Sequence, residues 1–403
     1  MKKVLIVGPL LSISGYGYHC RQLFNYFLNK EDFEVSCYIL PWGNTSWFLN
    51  TEKEDGLIGE VIKNSVDINS IKHKEYDIGV HVQLPNEWNF NLAKKNICVS
   101  AFVETNICNY EWVKMCFQAD SVIVPSEFTK KVIIDSCNNN KKEIKLLKEK
   151  ISVIPEYYHE SFDKENDNKN VSLELEKVNT SFNFLTIGQL TDINPEGDRK
   201  NLINSIKLFC KAFKEEKDVG LIIKTSLGRS STFDKIKTIA SFKKIISNIK
   251  KGSEYPKIYV IHGDMETEEL KNLYQNEKIK GYYTTTKGEG YGLPLIESAR
   301  CGLPIIATNW SGHLDFLGDN FLKLEYDLKN IPSEKIDNNI FIKDSKWAIV
   351  KNSDVIKNLK KFKKNHKDYK KLAIKSKLNV KDNFNKDKIF LMLDKLLKKV
   401  DQI

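Results

Sequence analysis

The chain lacks several features that would each have named a class of protein. No apolar run among its 403 residues approaches the ~20 that a bilayer-spanning helix needs. The opening Met1-Lys2-Lys3-Val4-Leu5-Ile6-Val7-Gly8 begins like a signal peptide, but its apolar stretch is too short and reads as a first buried strand. A cytoplasmic protein is expected, with peripheral contact at the inner membrane face left open. None of the eight cysteines stands in a C-x-x-C pair, which argues against a disulfide framework or a structural zinc site. Arginine is nearly absent, so lysine carries almost all of the formal net charge of +10. Lysine interspersed with acids is not the segregated, arginine-rich stripe of a nucleic-acid binder, and no nucleic-acid partner is expected. A polyanionic ligand such as a diphosphate, or an anionic membrane surface, stays compatible with that charge. No Asp-x-Asp occurs, so a divalent metal clamp of that type is not indicated; neither a metal nor a cofactor is expected.

What the chain does contain is a hydrophobic fraction of 41% and an aromatic fraction of 11%, enough for folded cores. Its length fits two domains. Short apolar runs alternate with helical patterns: Val4–Val7, Val35–Leu40, Ile78–Val82, Ile97–Val103, Ser121–Val124 and Ile151–Ile154, then Phe184–Gly188, Gly220–Lys224, Ile258–Ile261, Gly281–Thr286 and Pro304–Thr308. Two such sets predict an α/β protein of two doubly wound, Rossmann-like domains facing across a cleft, with ligand at the carboxyl ends of the strands. The boundary is expected in Asp163–Thr180, whose polar Asp163–Asn170 has almost nothing to bury. This gives a first Rossmann-like domain over 1–170, a second over 171–385, and a helix over 386–403 packing back on the first. Lysine-rich Lys141–Lys150 and Lys357–Lys371 read either as lipid-docking faces or as ordinary solvated ones, and the solvated reading is preferred.

The strongest signal is Lys287-Gly288-Glu289-Gly290-Tyr291-Gly292-Leu293-Pro294-Leu295-Ile296-Glu297. A strand enters a glycine-rich loop, Pro294 suits the first turn of a helix, and Gly302 suits its end. Glycines let the backbone approach a ligand, and the helix's amino end favours phosphate. Glu289 in the loop and Glu297 one turn into the helix can aim at one ligand, and carboxylates accept hydrogen bonds from sugar hydroxyls. The alternative is a tight turn whose glutamates merely complement the helix dipole.

This segment resembles the signature of the retaining glycosyltransferases of family 4, which have the GT-B architecture and a Glu-x7-Glu pair spanning the diphosphate loop. The resemblance implies that Glu289 contacts the donor sugar, that Glu297 contacts the ribose hydroxyls, and that the backbone at Gly290, Tyr291, Gly292 and Leu293 approaches the phosphates. Gly197-Asp198-Arg199-Lys200-Asn201-Leu202 resembles the family's basic helix start, with Lys200 matching the lysine. Gln189 stands where a strand-end arginine often sits, and Arg199 is an alternative cation. Lys224, ending a buried strand, is a further diphosphate or sugar contact or equally a snorkelling lysine. Ala119–Thr129, Ile151–Glu156 and Thr308–His313 also look like family markers.

In the first domain, Gly15-Tyr16-Gly17 forms a small-residue loop after a strand, read as a plain strand-to-helix turn or as a loop under the donor and acceptor. A Rossmann dinucleotide site fails there, because position 20 is Cys and the second strand ends without an acid. Where many family members carry a histidine, this chain has Glu104-Thr105. Glu104 is an acceptor-side base or a satisfied structural acid, weighed evenly; His81 does not match the usual position. The aromatics Trp42, Trp47, Trp88 and Phe90 lie in variable loops and stack on sugars or simply pack. The resemblance implies a retaining transfer from a nucleotide-diphosphate sugar to a glycan, lipid-linked or protein acceptor. The rivals are a sugar-nucleotide epimerase of the same architecture and a non-catalytic nucleotide-sugar-binding subunit.

Overall fold

The computed structural model describes residues 1–137, 141–164 and 173–402. They form two compact units: Met1–Tyr157 with Asp337–Ser345 and Lys386–Ile403, and Tyr158–Ile336 with Lys346–Asn385.

The first unit is built on a sheet of six strands, β1 (Lys2–Gly8), β2 (Phe33–Ile39), β3 (Tyr76–Val82), β4 (Ala93–Val99), β5 (Ser121–Val124) and β6 (Ile151–Val153). Their order is β2-β1-β3-β4-β5-β6, and every pairing is parallel. Parallel strands are covered on both faces, which is why Val4–Val7 is a continuous apolar run and wholly buried. The helix Gly15–Leu28 starts at Ser14, whose hydroxyl accepts from the Gly17 amide at 3.1 Å. It seats Leu23, Phe24 and Phe27 in the core. The final helix, Lys386–Asp401, adds Ile389, Leu393, Leu396 and Val400 to that same core at helical spacing. Tyr26 donates to Asp394 at 2.6 Å beside it. The segment Asp337–Ser345 belongs here too: Asn109 donates to the Asn338 carbonyl at 3.0 Å, and Ile340 packs on the cluster around Trp112.

The second unit holds β7 (Phe182–Ile187), β8 (Val219–Thr225), β9 (Lys257–His262), β10 (Ile279–Tyr283), β11 (Ile305–Thr308) and β12 (Leu322–Leu324). The order is β12-β11-β10-β7-β8-β9, again all parallel. The sheet therefore grows one way from β7 and the other way from β10, and the two strands lie side by side at the switch in winding. An antiparallel pair, β13 (Tyr326–Asn330) and β14 (Lys346–Val350), follows. Phe184, Phe209, Phe213 and Phe362 fill the core beneath the sheet.

Two strand ends need correcting. The run Ile97–Val103 is a strand only to Val99, because Phe102 adopts a left-handed φ of 53° and turns the chain. The run Gly281–Thr286 leaves the sheet after Tyr283. The lysine-rich Lys357–Lys371 runs across two helices, Asn352–Lys364 and His366–Asn383, which meet at Asn365, and its Leu359, Phe362 and Tyr369 are core residues. The expected boundary at 170/171 lies outside the described residues; the two compact units change over at Tyr157/Tyr158. Among the eight cysteines, all free, seven are buried and Cys301 is half-buried. Among the described residues no helix is long and apolar enough to cross a membrane.

Candidate functional site

In a doubly wound sheet, ligand binds outside the strand ends where the winding reverses. In the second unit that point lies between β7 and β10, and the residues singled out from the sequence follow those two strands.

The loop after β7 is organised by Asp198, a fully buried carboxylate. It accepts from the Thr191 hydroxyl at 2.7 Å and from the Leu202 amide at 2.6 Å, which holds the start of the helix Leu202–Ala212. Asn201 is left-handed, with φ 56°, and donates to the Thr285 carbonyl at 3.0 Å. These contacts fix the backbone that carries Arg199 and Lys200. Lys200 passes over Gly188 at the end of β7. Its ammonium donates to both oxygens of Glu289, at 2.8 and 2.7 Å. Arg199 donates to the Gly288 carbonyl at 2.7 Å and stands 3.7 Å from Glu289. Both cation candidates thus converge on one carboxylate.

Glu289 is buried in the loop after β10 and also accepts from Thr286 at 2.9 Å. Burial alone would raise its carboxyl. The charges of Lys200 and Arg199 and the hydrogen bonds from Lys200 and Thr286 outweigh that and hold it at about 2. Its own amide donates to Ser311 at 2.9 Å. Ser311 and Gly312 form the floor of the loop: a Cβ at Gly312 would lie 2.1 Å from the Gly290 carbonyl, so only glycine fits. Gly292, at φ 108°, then turns the chain into the helix Leu293–Arg300, with Pro294 in its first turn.

Glu297 has the opposite environment. It lies in that helix and accepts from the Tyr274 hydroxyl at 2.8 Å. Burial raises its carboxyl to about 7, against the smaller lowering effects of Tyr274 and Lys224. Burial in turn lowers the Lys224 ammonium, opposed by Asp264 and Glu297. Lys287, just before the loop, is buried, donates to the Pro195 and Glu196 carbonyls at 2.9 and 2.6 Å, and is lowered to about 8 by burial. Tyr291 is buried against Phe316 rather than turned outward.

Gly15 and Glu104 lie in the first unit. Gly15 opens the helix after β1, and Tyr16 beside it reaches the end of β4, where its hydroxyl contacts Ser100 at 2.9 Å and receives the Ala101 amide at 3.0 Å. Glu104 acts on the Tyr16 phenol through its charge. Trp42 stacks on Tyr16 with centroids 4.1 Å apart. Sequence reading missed Asp198, Thr286, Ser311 and Tyr274. The first three lie inside or beside quoted motifs, whereas Tyr274 carries no local signal.

Residues 198–333 match the family model described as Glycosyl transferases group 1. That span contains Arg199, Lys200, Lys224 and the whole Gly288–Glu297 segment. A glycosyltransferase from Rickettsia africae is similar at 16% identity and a TM-score of 0.63, covering 99% of this chain and 98% of that one. Anabaena HepE bound to UDP and glucose gives 11% identity and 0.63, covering 99% and 100%. Sucrose-phosphate synthase from Thermosynechococcus elongatus gives 13% and 0.58, covering 100% of both. The fold is GT-B. No curated protein matches the chain.

Proposed function

We propose that the chain is a retaining glycosyltransferase that moves a sugar from a nucleotide-diphosphate donor to a hydroxyl acceptor. The observation that carries this reading is the Lys200–Glu289–Arg199 cluster at the winding switch, beside a glycine-built helix start. Such a site supplies cations and helix-end amides for a leaving diphosphate, and an ionised carboxylate for sugar hydroxyls. The matched family segment and the GT-B neighbours support sugar transfer from a nucleotide sugar.

In this reading Lys200 and Arg199 neutralise charge developing on the departing phosphate. Without donor, Lys200 is tied to Glu289, and the pair exchanges partners when the diphosphate enters. Glu289 grips the donor sugar, Glu297 the ribose, and the backbone at Gly290–Leu293 the phosphates. Lys224 is a further cation at the end of β8. Gly15 is assigned to the loop under the donor and acceptor, and Glu104 to the acceptor side as a base taking the acceptor proton.

The test is incubation with UDP-, GDP- and ADP-sugars, beginning with UDP-glucose because HepE is known bound to it, with and without glycan, lipid-linked and protein acceptors. Acceptor-dependent diphosphate release with an unchanged anomeric configuration by NMR supports the proposal. Sugar isomerisation without acceptor would replace it with an epimerase, and binding without turnover with a non-catalytic subunit. Glu289→Gln and Lys200→Ala should each lose at least tenfold in turnover, about 1.4 kcal/mol of barrier. Near-normal rates in both would falsify the site assignment.

A further inference from the structure

Three helices of the second unit finish close together: Leu202–Ala212, Thr232–Lys250 and Asn352–Lys364, the first packing on both others. At their ends lies a groove of about 730 Å3, lined by Lys207, Lys211, Lys214, Lys250 and Lys251 and by no carboxylate. An adjoining groove of about 580 Å3 shares Lys211 and Lys214 and adds Lys360, Lys363 and Lys364, with Glu215 and Glu216. Glu216 is occupied by Lys363 at 2.6 Å.

Lysines at helix carboxyl ends are ordinary, because they offset the partial negative charge there, roughly half a unit per helix. Three helix ends account for only about one and a half charges, yet eight lysines stand here against two glutamates. Lys207 and Lys211, four apart on that helix, and Lys214 in the turn just after it are all exposed, which brings like charges together. Among the described residues no carboxylate pairs with Lys207, Lys211, Lys214 or Lys251. The excess positive charge is an unfavourable arrangement that an anionic partner relieves.

The groove is separate from the diphosphate site. Lys200 precedes the amino end of Leu202–Ala212, and the groove lies at that helix's other end, ~16 Å away along the axis. Lysine presents point charges rather than arginine's planar fork, so recognition here is by charge density along a flexible chain. None of the lining residues is an exposed large apolar side chain, which a bilayer surface would need for insertion.

We propose that this groove docks an extended polyanion, a chain of phosphate or carboxylate groups, at a position remote from the donor site. The experiment measures the anisotropy of fluorescein-labelled inorganic polyphosphate with the full chain, against orthophosphate as competitor and against phosphatidylserine vesicles in a parallel sedimentation assay. Binding should weaken at least tenfold between about 50 and about 200 mM salt, as counterion release requires. Lys207→Glu/Lys211→Glu/Lys214→Glu should weaken it at least tenfold. Lys141→Glu/Lys145→Glu/Lys148→Glu, at the same spacing on a helix of the other unit, changes net charge equally and should cost less than twofold. If the first triple variant melts early, Lys250→Gln/Lys251→Gln replaces it, with a loss of threefold or more expected. Equal losses in groove and control variants would reduce the effect to net charge and overturn the proposal. So would competition by orthophosphate at equal phosphate concentration, or binding to vesicles but not to polyphosphate.

Discussion

Glu289 and Glu297 are the same residue type eight positions apart, and their surroundings drive them in opposite directions. Glu289 sits between two cations and is ionised down to about pH 2. Its contribution to stability is present above its ordinary value of 4.5 and is lost as pH falls through about 2. Glu297 is half-buried with one phenol donor and retains its proton up to about pH 7. Below 4.5 the folded and unfolded chains are both protonated there and the residue is neutral to stability. Between 4.5 and about 7 the unfolded chain releases a proton that the folded chain keeps, so stability falls. Above that range the cost is constant, roughly 3 kcal/mol. Glu297→Gln should therefore melt higher than the native chain at pH 8, with the gain vanishing near pH 4 in thermal scans. Under the proposed function the same variant binds donor more weakly at pH 8. Native donor affinity should rise between pH 6 and 8, and Tyr274→Phe should shift that rise to higher pH, because the carboxylate loses its donor. A flat affinity profile in the native chain would remove Glu297 from the donor contacts.

At the scale of elements, the loop Gly288–Gly292 owes its shape to a second turn, Asn309–Gly312, pressed against it. Gly312→Ala should displace the Gly290 carbonyl and destabilise the fold by about 1–3 kcal/mol, read as an earlier denaturant midpoint at unchanged slope. Wild-type stability in that variant would mean that the two turns are looser than their contact. The strand–loop–helix unit was legible in the sequence because its residues are contiguous and each glycine and proline has a local reason. The strands were legible because parallel strands buried on both faces are unbroken apolar runs. The pair β13–β14 was not: Tyr326–Asn330 is largely exposed and shows no apolar run. The roles of Arg199 and Lys200 stayed open in the sequence because the choice depends on how Asp198 and Asn201 shape the loop. The environment of Glu297 was illegible for a related reason, since Tyr274 comes from a different helix.

For the whole molecule, each unit has its own sheet and core, and the residues assigned to the diphosphate all lie in the second. UDP without a sugar should slow amide exchange across residues 198–205 and 288–300, measured by mass spectrometry, and leave β1–β3 unchanged. At a hundredfold excess over the dissociation constant the expected stabilisation is about 2.7 kcal/mol. Protection confined to the first unit would contradict the assignment.

The final helix carries one more consequence. Ile389, Leu393, Leu396 and Val400 lie against Phe24, Phe27 and Tyr157, so the first unit is completed by chain that has already traversed the second. A fragment cut after Tyr157 would present that greasy seat to water and invite clumping. Anyone wishing to isolate the amino-terminal half should graft the closing segment onto it, rather than truncate.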